Sequence, residues 1–185
     1  MMQQRRAKEE NAIVLEYLKH GYIEDSRPMH KKESVAQIIG KSFFTLLEIV
    51  PSVELKPYDE VYIGEGKRDK VLYIKGVLPF DKLTQTAKTE LPFIIEKIVA
   101  VNEKQYVDYF NTAGPISLRA HQLELLPGVG KKHATSLLNE RQKKPFESFE
   151  DIKKRVPAVD PKKAVIERIM EELQDKDRHR LFVRR

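Results

Sequence analysis

The chain has 185 residues, with 34 Lys plus Arg against 28 Asp plus Glu, a net charge of +6 and a pI near 9.3. A hydrophobic content of 41% supports a buried core and excludes global disorder. The absence of cysteine excludes disulfides, thiolate zinc sites, iron–sulfur clusters and cysteine nucleophiles.

No apolar run reaches the roughly 18 residues a membrane helix needs, and no apolar signal core follows Met1–Glu10. The expectation is a cytoplasmic protein with no membrane partner. Residues 1–110 carry 17 basic and 17 acidic side chains, and residues 111–185 carry 17 and 11. The whole excess of +6 therefore falls in the last 75 residues. Such asymmetry predicts a polyanion-binding half beside a neutral one, although a solvated basic surface would show the same imbalance.

In chain order, residues 1–11 read as a disordered tail. Residues 12–82 are rich in β-branched and aromatic residues, with strands expected over Ile13–Leu18, Val35–Ile39, Phe43–Val50, Glu60–Ile63 and Val71–Val77. Five short strands in one neutral stretch predict a small OB-like β-barrel. A small open sheet satisfies the same periodicity. The loop from Gly64 to Lys70 places Lys67, Arg68 and Lys70 where a phosphate backbone can be gripped. A solvated hairpin tip has the same composition. Tyr62, Tyr73, Phe43 and Phe44 form either a base-stacking face or part of the barrel core.

Residues 83–114 read as connecting helices. A short helix is expected over Leu83–Glu90. A long one follows, capped by Thr89, with apolar residues at helical spacing from Leu91 to Phe110 and a stop at Gly114-Pro115. Residues 115–185 read as short helices: Ser117–Leu126, Gly130 to about Gln142, Ser148–Arg155 and Pro161–Leu173. Ser148 with Asp151, and Asp160 before Pro161, are helix-start signals. The fold class expected is α+β: an OB-like barrel, a long connecting helix and an all-α C-terminal domain.

The most informative stretch is Leu123-Glu-Leu-Leu-Pro127-Gly128-Val129-Gly130-Lys131-Lys132-His133-Ala134. It resembles the helix-hairpin-helix motif, a module for sequence-independent nucleic-acid binding. Gly128 and Gly130 permit positive φ and close approach of backbone to a phosphate. Free N–H groups at the second helix's start favour an anion. Lys131 and Lys132 add charge, and Val129 points inward to hold the turn. A second copy follows about 30 residues on, at Val156-Pro157-Ala158-Val159-Asp160-Pro161-Lys162-Lys163. It departs from the pattern, because Ala158 and Asp160 replace the glycines and Pro161 lacks an N–H. It is read as structural, with Lys162 and Lys163 as further candidate backbone contacts.

His121 and Glu124 stand one helical turn apart, and packing or capping is expected of His121 rather than metal binding. His133 sits beside the expected phosphate. No phosphate-binding P-loop, Gly-x-Ser-x-Gly or His-Glu-x-x-His pattern is present. No catalytic residue, metal or cofactor is expected.

Beyond these motifs, nearly the whole chain is similar to an uncharacterised archaeal family, classed as a domain of unknown function and described as predicted nucleic-acid (RNA) binding. The segments that carry the resemblance are Val14–Leu18 with Gly21, Ala36–Gly40, Phe44–Glu48, Val61–Gly64, Leu83–Lys88, Phe110–Ile116, His121–Gly128, Phe146–Arg155 and Leu181-Phe182. The resemblance implies an OB-like domain followed by paired helix-hairpin-helix motifs, and no substrate or catalytic residue. The expected function is non-enzymatic binding of an RNA or DNA backbone, RNA somewhat preferred. The alternatives are an adaptor docking on a ribonucleoprotein or repair assembly, and a nuclease-like repair enzyme.

Overall fold

The computed structural model describes residues 8–176 and 178–184. The chain divides into two compact units, Met1–Ile94 with Arg178–Arg185, and Ile95–Asp177. The fold is mixed α+β, but the division falls inside a helix, and the C-terminal segment belongs to the first unit.

That assignment changes the charge accounting. Of the described residues, the first unit holds 16 basic and 14 acidic and the second 15 and 13, net +2 in each. The excess expected in the C-terminal half is thus shared between the units, because Arg178, Arg180 and Arg184 belong to the first.

In the first unit, β1 (Asn11–Leu18), β2 (Val35–Gly40), β3 (Leu46–Pro51), β4 (Glu60–Tyr62) and β5 (Val71–Val77) form one antiparallel sheet in the order β4-β1-β2-β3-β5. The sheet curls into a half-barrel, consistent with an OB-like domain, with β4 and β5 as its edges. Alternate residues Ala12, Val14, Ala36, Ile38, Leu47 and Ile49 share one core with Leu55, Val61, Ile63 and Val71. This is the period of two that burial on one strand face requires. All six residues of β2 are buried, so both faces of the sheet's centre are covered.

The expected strand Phe43–Val50 starts only at Leu46. Residues 41–45 form a turn instead, with Phe44 at φ 55°. The cause is Glu9. The residue is 7% exposed, and its carboxylate accepts hydrogen bonds from the backbone N–H of Ser42 (2.9 Å), Phe43 (2.8 Å) and Thr45 (3.1 Å). Gly40 makes room for it, since a Cβ there would lie 2.0 Å from the Glu9 carboxyl. Residues 8–11, expected within a disordered tail, are thus held in place. Residues 1–7 lie outside the described residues.

On the opposite strand face Gln37 is fully buried. Its amide donates to the Tyr22 hydroxyl (2.9 Å) and the Lys82 carbonyl (3.2 Å), and accepts from Thr84 N–H (3.0 Å). The Thr84 hydroxyl in turn accepts from Ala87 N–H at 3.1 Å. Thr84, not Thr89, therefore opens α1 (Gln85–Val101), and Thr89 is an exposed mid-helix residue. Pro92 lies inside α1. The helix tolerates it because Leu91, Ile94, Ile95 and Ile98 are all buried, and burial outweighs the lost backbone bond.

The long connecting helix is two helices. α2 (Glu103–Thr112) follows a break at Asn102, whose side chain donates to the Ile98 carbonyl. In the second unit a β-hairpin comes next, β6 (Pro115–Ser117) and β7 (Ala120–His121), then a 3-10 turn over Gln122–Leu125. These replace the helix expected over Ser117–Leu126, and the unit is not all-α. α3 (Lys131–Lys143), α4 (Phe149–Arg155) and α5 (Pro161–Leu173) follow as expected.

Replacing Glu9 by Ala leaves three backbone donors without their acceptor. We expect a loss of about 2–4 kcal/mol in folding stability, read from urea unfolding followed by circular dichroism.

Candidate nucleic-acid interface

The turn at residues 126–130 is built by backbone bonds. Leu126 N–H donates to Leu123 O (3.2 Å), and Val129 N–H to Leu126 O (3.0 Å). Gly128 sits at φ 77°, a left-handed conformation that favours glycine. Val129 is buried between the two exposed glycines. The ring nitrogen Nδ1 of His133 lies 3.1 Å from the Gly128 carbonyl and donates to it. That contact fastens the turn to the first helical turn.

Gly130 is the N-cap of α3 and provides no side-chain acceptor. A Cβ at Gly128 or at Gly130 would meet nothing within 4 Å, so both glycines face open space. Among the described residues, the N–H groups of Lys131, Lys132 and His133 find no acceptor, and the ammonium groups of Lys131 and Lys132 form no ion pair. Exposed donors, the positive end of a 13-residue helix and two unpaired lysines therefore meet at one place.

The second turn repeats the first at an offset of 30 residues. Val159 N–H donates to Val156 O (3.0 Å) as Val129 does to Leu126 O. Ala164 N–H donates to Asp160 O (3.0 Å) as Ala134 does to Gly130 O (2.9 Å). Its electrostatics are opposite. The Asp160 carboxylate accepts from Lys163 N–H at 3.0 Å and occupies the place an anion would take. Pro161 supplies no N–H. Lys162 pairs with Glu96 at 2.7 Å, and Lys163 lies 3.8 Å from Glu167. Lys162 and Lys163 are thus engaged within the protein.

Many other cations of this unit close backbone ends. Arg141 donates to the carbonyls of Phe110 (3.0 Å) and Ala113 (2.9 Å), at the end of α2. Arg155 donates to the carbonyls of Glu140 and Lys144 (2.8 Å for the latter), at the end of α3. It also pairs with Glu140 and Asp151 and lies over the Phe146 ring at 4.5 Å. Arg168, 2% exposed, pairs with the buried Glu172 at 2.8 Å and donates to Leu125 O at 3.1 Å, just before the turn. Asn111 clasps Phe146 through both backbone groups, at 2.9 and 2.8 Å.

His121 is not on a helix. It caps the 3-10 turn, with Nδ1 accepting from Leu123 N–H (3.1 Å) while the Glu124 carboxylate accepts from His121 N–H (3.1 Å). Burial, then the nearby Arg141 charge, pushes its pKa down, which keeps Nδ1 available as an acceptor. No group of three metal-ligating side chains is found among the described residues.

In the first unit, the three candidate cations of the 64–70 loop separate. Lys67 and Lys70 are exposed, and Lys70 reaches the Glu60 carbonyl at 3.5 Å. Arg68 is half-buried, and its Nε donates to Gly64 O at 2.9 Å. Arg68 lines a cavity of about 820 Å³ at the open side of the half-barrel, together with Phe43, Tyr62 and Arg184. The aromatic candidates divide as well. Phe44 is core, Tyr73 is exposed on β5 with its hydroxyl donating to Glu33, and Phe43 and Tyr62 reach the cavity. Arg184 is a cavity residue that periodicity and motif spacing do not reveal.

Among the described residues, these features define an α+β protein with a curled five-stranded half-barrel and five α-helices, and a glycine turn without a side-chain cap in its second unit. The family model described as protein of unknown function (DUF655) matches residues 8–184, and the chain belongs to that family. It is 38% identical over 180 residues to the uncharacterized protein MJ0038 of Methanocaldococcus jannaschii, covering 95% of this chain and 80% of that one. A crystal structure of Af1531 from Archaeoglobus fulgidus, from the same family, is 46% identical. It covers 95% of this chain and all of its own, with a TM-score of 0.89. Among the described residues no helix is long and apolar enough to cross a membrane.

The two kinds of cation differ in what their removal costs. Arg141→Ala and Arg155→Ala each lower stability by about 2 kcal/mol, the first because the carbonyls of buried Phe110 and Ala113 lose a charged donor, the second because the half-buried pairs with Glu140 and Asp151 and the bonds to the end of α3 are lost together. Lys131→Ala and Lys132→Ala stay within about 0.5 kcal/mol. Urea midpoints of the four variants check this.

Proposed function

We propose that the protein binds nucleic acid without catalysis, through the phosphate backbone, at the turn Pro127–Lys132. On this reading residues 123–143 act as a helix-hairpin-helix module whose first helix is shortened to a 3-10 turn. The second turn is its structural partner, and the half-barrel is an OB-like companion. RNA is preferred over DNA, an expectation that comes from the family resemblance.

The observation that carries the reading is the contrast between the two turns. They share backbone hydrogen bonds, yet one is filled by its own Asp160 carboxylate while the other keeps Gly130, free N–H groups and unpaired Lys131 and Lys132. An anion from outside completes the first as Asp160 completes the second. Backbone contacts of this kind position a strand without reading its sequence.

The test is to transfer the filling carboxylate. Gly130→Asp installs a good N-cap, so the variant stays folded with a melting temperature at or above wild type. Its affinity for RNA or DNA duplexes and single strands falls about tenfold or more in anisotropy titrations. Lys131→Ala and Lys132→Ala each reduce the slope of log affinity against log salt by about 0.7–0.9. A folded Gly130→Asp variant with wild-type affinity overturns the proposal.

A further inference from the structure

We infer that the cavity at the open side of the half-barrel is a second site, which takes one unpaired nucleobase with its adjoining phosphate. This inference rests on the nucleic-acid reading above and names a substrate class for it, single-stranded nucleic acid.

The cavity has a layered lining. Leu47, Ile63 and Ile74 provide an apolar floor continuous with the sheet core. Tyr62 and Phe43 add aromatic surface. Tyr62 is a fixed ring. Its hydroxyl accepts from Gly66 N–H at 3.2 Å, and its phenol end lies so close to Gly64 that a Cβ there would sit 2.3 Å from the hydroxyl. It remains 36% exposed. A rigid, partly exposed ring over an apolar floor loses little freedom when a flat ligand stacks on it.

The cations of the lining are Lys8, Arg68 and Arg184, and the acids are Glu9, Glu10 and Glu65. Several are already committed. Glu9 is held by three backbone N–H groups, and Lys8 pairs with Glu65 at 3.2 Å. Arg68 uses Nε on Gly64 O, and among the described residues its terminal nitrogens have no partner. Arg184 is anchored by its backbone N–H to Phe43 O (3.1 Å), with its guanidinium 4.2 Å over the Phe43 ring and no carboxylate partner among the described residues. Two guanidinium groups thus have donors to spare at one cavity, which suits a phosphate. Glu10 is the remaining carboxylate, and it suits the exocyclic amine of a base. Apolar floor, fixed aromatic ring, arginines and one acceptor together match a nucleotide better than a bare phosphate. A paired base inside a duplex cannot present its face to this lining.

The test uses the full chain and labelled ten-nucleotide oligo(A), oligo(dA) and oligo(U), with a matched RNA duplex. Wild type is expected to bind oligo(A) and oligo(dA) more tightly than oligo(U), which lacks the exocyclic amine, and more tightly than the duplex. Tyr62→Leu weakens oligo(A) binding about five- to a hundredfold, the loss of one stack, while Tyr62→Phe keeps the ring and the affinity. Arg184→Gln, which retains the backbone anchor, weakens it about tenfold. Neither changes duplex binding. Gly130→Asp lowers binding to all four probes and leaves the oligo(A)-to-duplex ratio intact. Wild-type oligo(A) affinity in folded Arg184→Gln and Tyr62→Leu overturns the inference. So does a wild type without single-strand preference, even where Gly130→Asp shows that the glycine turn binds duplex.

Discussion

Backbone N–H and carbonyl groups left over at helix ends and turns must find partners, and in this protein long charged side chains supply many of them. Glu9 collects three N–H groups of the 41–45 turn. Arg141 and Arg155 close the carbonyl ends of α2 and α3, Arg168 holds Leu125 ahead of the glycine turn, and Asp160 closes the start of α5. Both units take their local shape from these contacts. The start of α3 stands out because Gly130 leaves its donors open to solvent.

The same constraint explains the distribution of charge. A cation that satisfies buried carbonyls is desolvated and paired, so it is not available to a polyanion. Arg141, Arg155 and Arg168 are engaged on carbonyls, and Lys162 is held by Glu96. Among the described residues Lys131, Lys132, Arg184 and the terminal nitrogens of Arg68 are not so engaged, and they mark the two places proposed above for a phosphate. A net charge of +2 among the described residues of the second unit is compatible with the proposed binding turn, because two lysines beside oriented N–H groups act locally.

Two glycines make room for a side chain packed against them. Gly40 makes space for the Glu9 carboxyl and Gly64 for the Tyr62 phenol, so each glycine is set by its neighbour's side chain rather than by a positive φ. Gly128 is the opposite case, since nothing crowds it and its left-handed backbone is the requirement.

The strands, α3 to α5 and the glycine turn were legible in the sequence, because period-two burial, helix-start residues and Pro-Gly-Val-Gly are local signals. The family was legible too, over nearly the whole chain. The 3-10 turn at Gln122–Leu125 was not, since Leu-x-x-Leu spacing reads as helix, while the His121–Glu124 cap delays its start to Gln122 and the extended Leu126 ends it. The helix through Pro92 was legible from its apolar spacing, but not its start at Gln85 or its break at Asn102, which are set by the Thr84 cap and by the Asn102 side chain on the Ile98 carbonyl. Phe43 and Phe44 were visible, but which joined the core and which the cavity depended on the turn that Glu9 holds. Charge by chain half does not follow the two units, because Arg178, Arg180 and Arg184 belong to the first. Composition counts charge along the chain, whereas a phosphate responds to charge in space, and only the fold determines which arginines meet backbone carbonyls and which meet solvent.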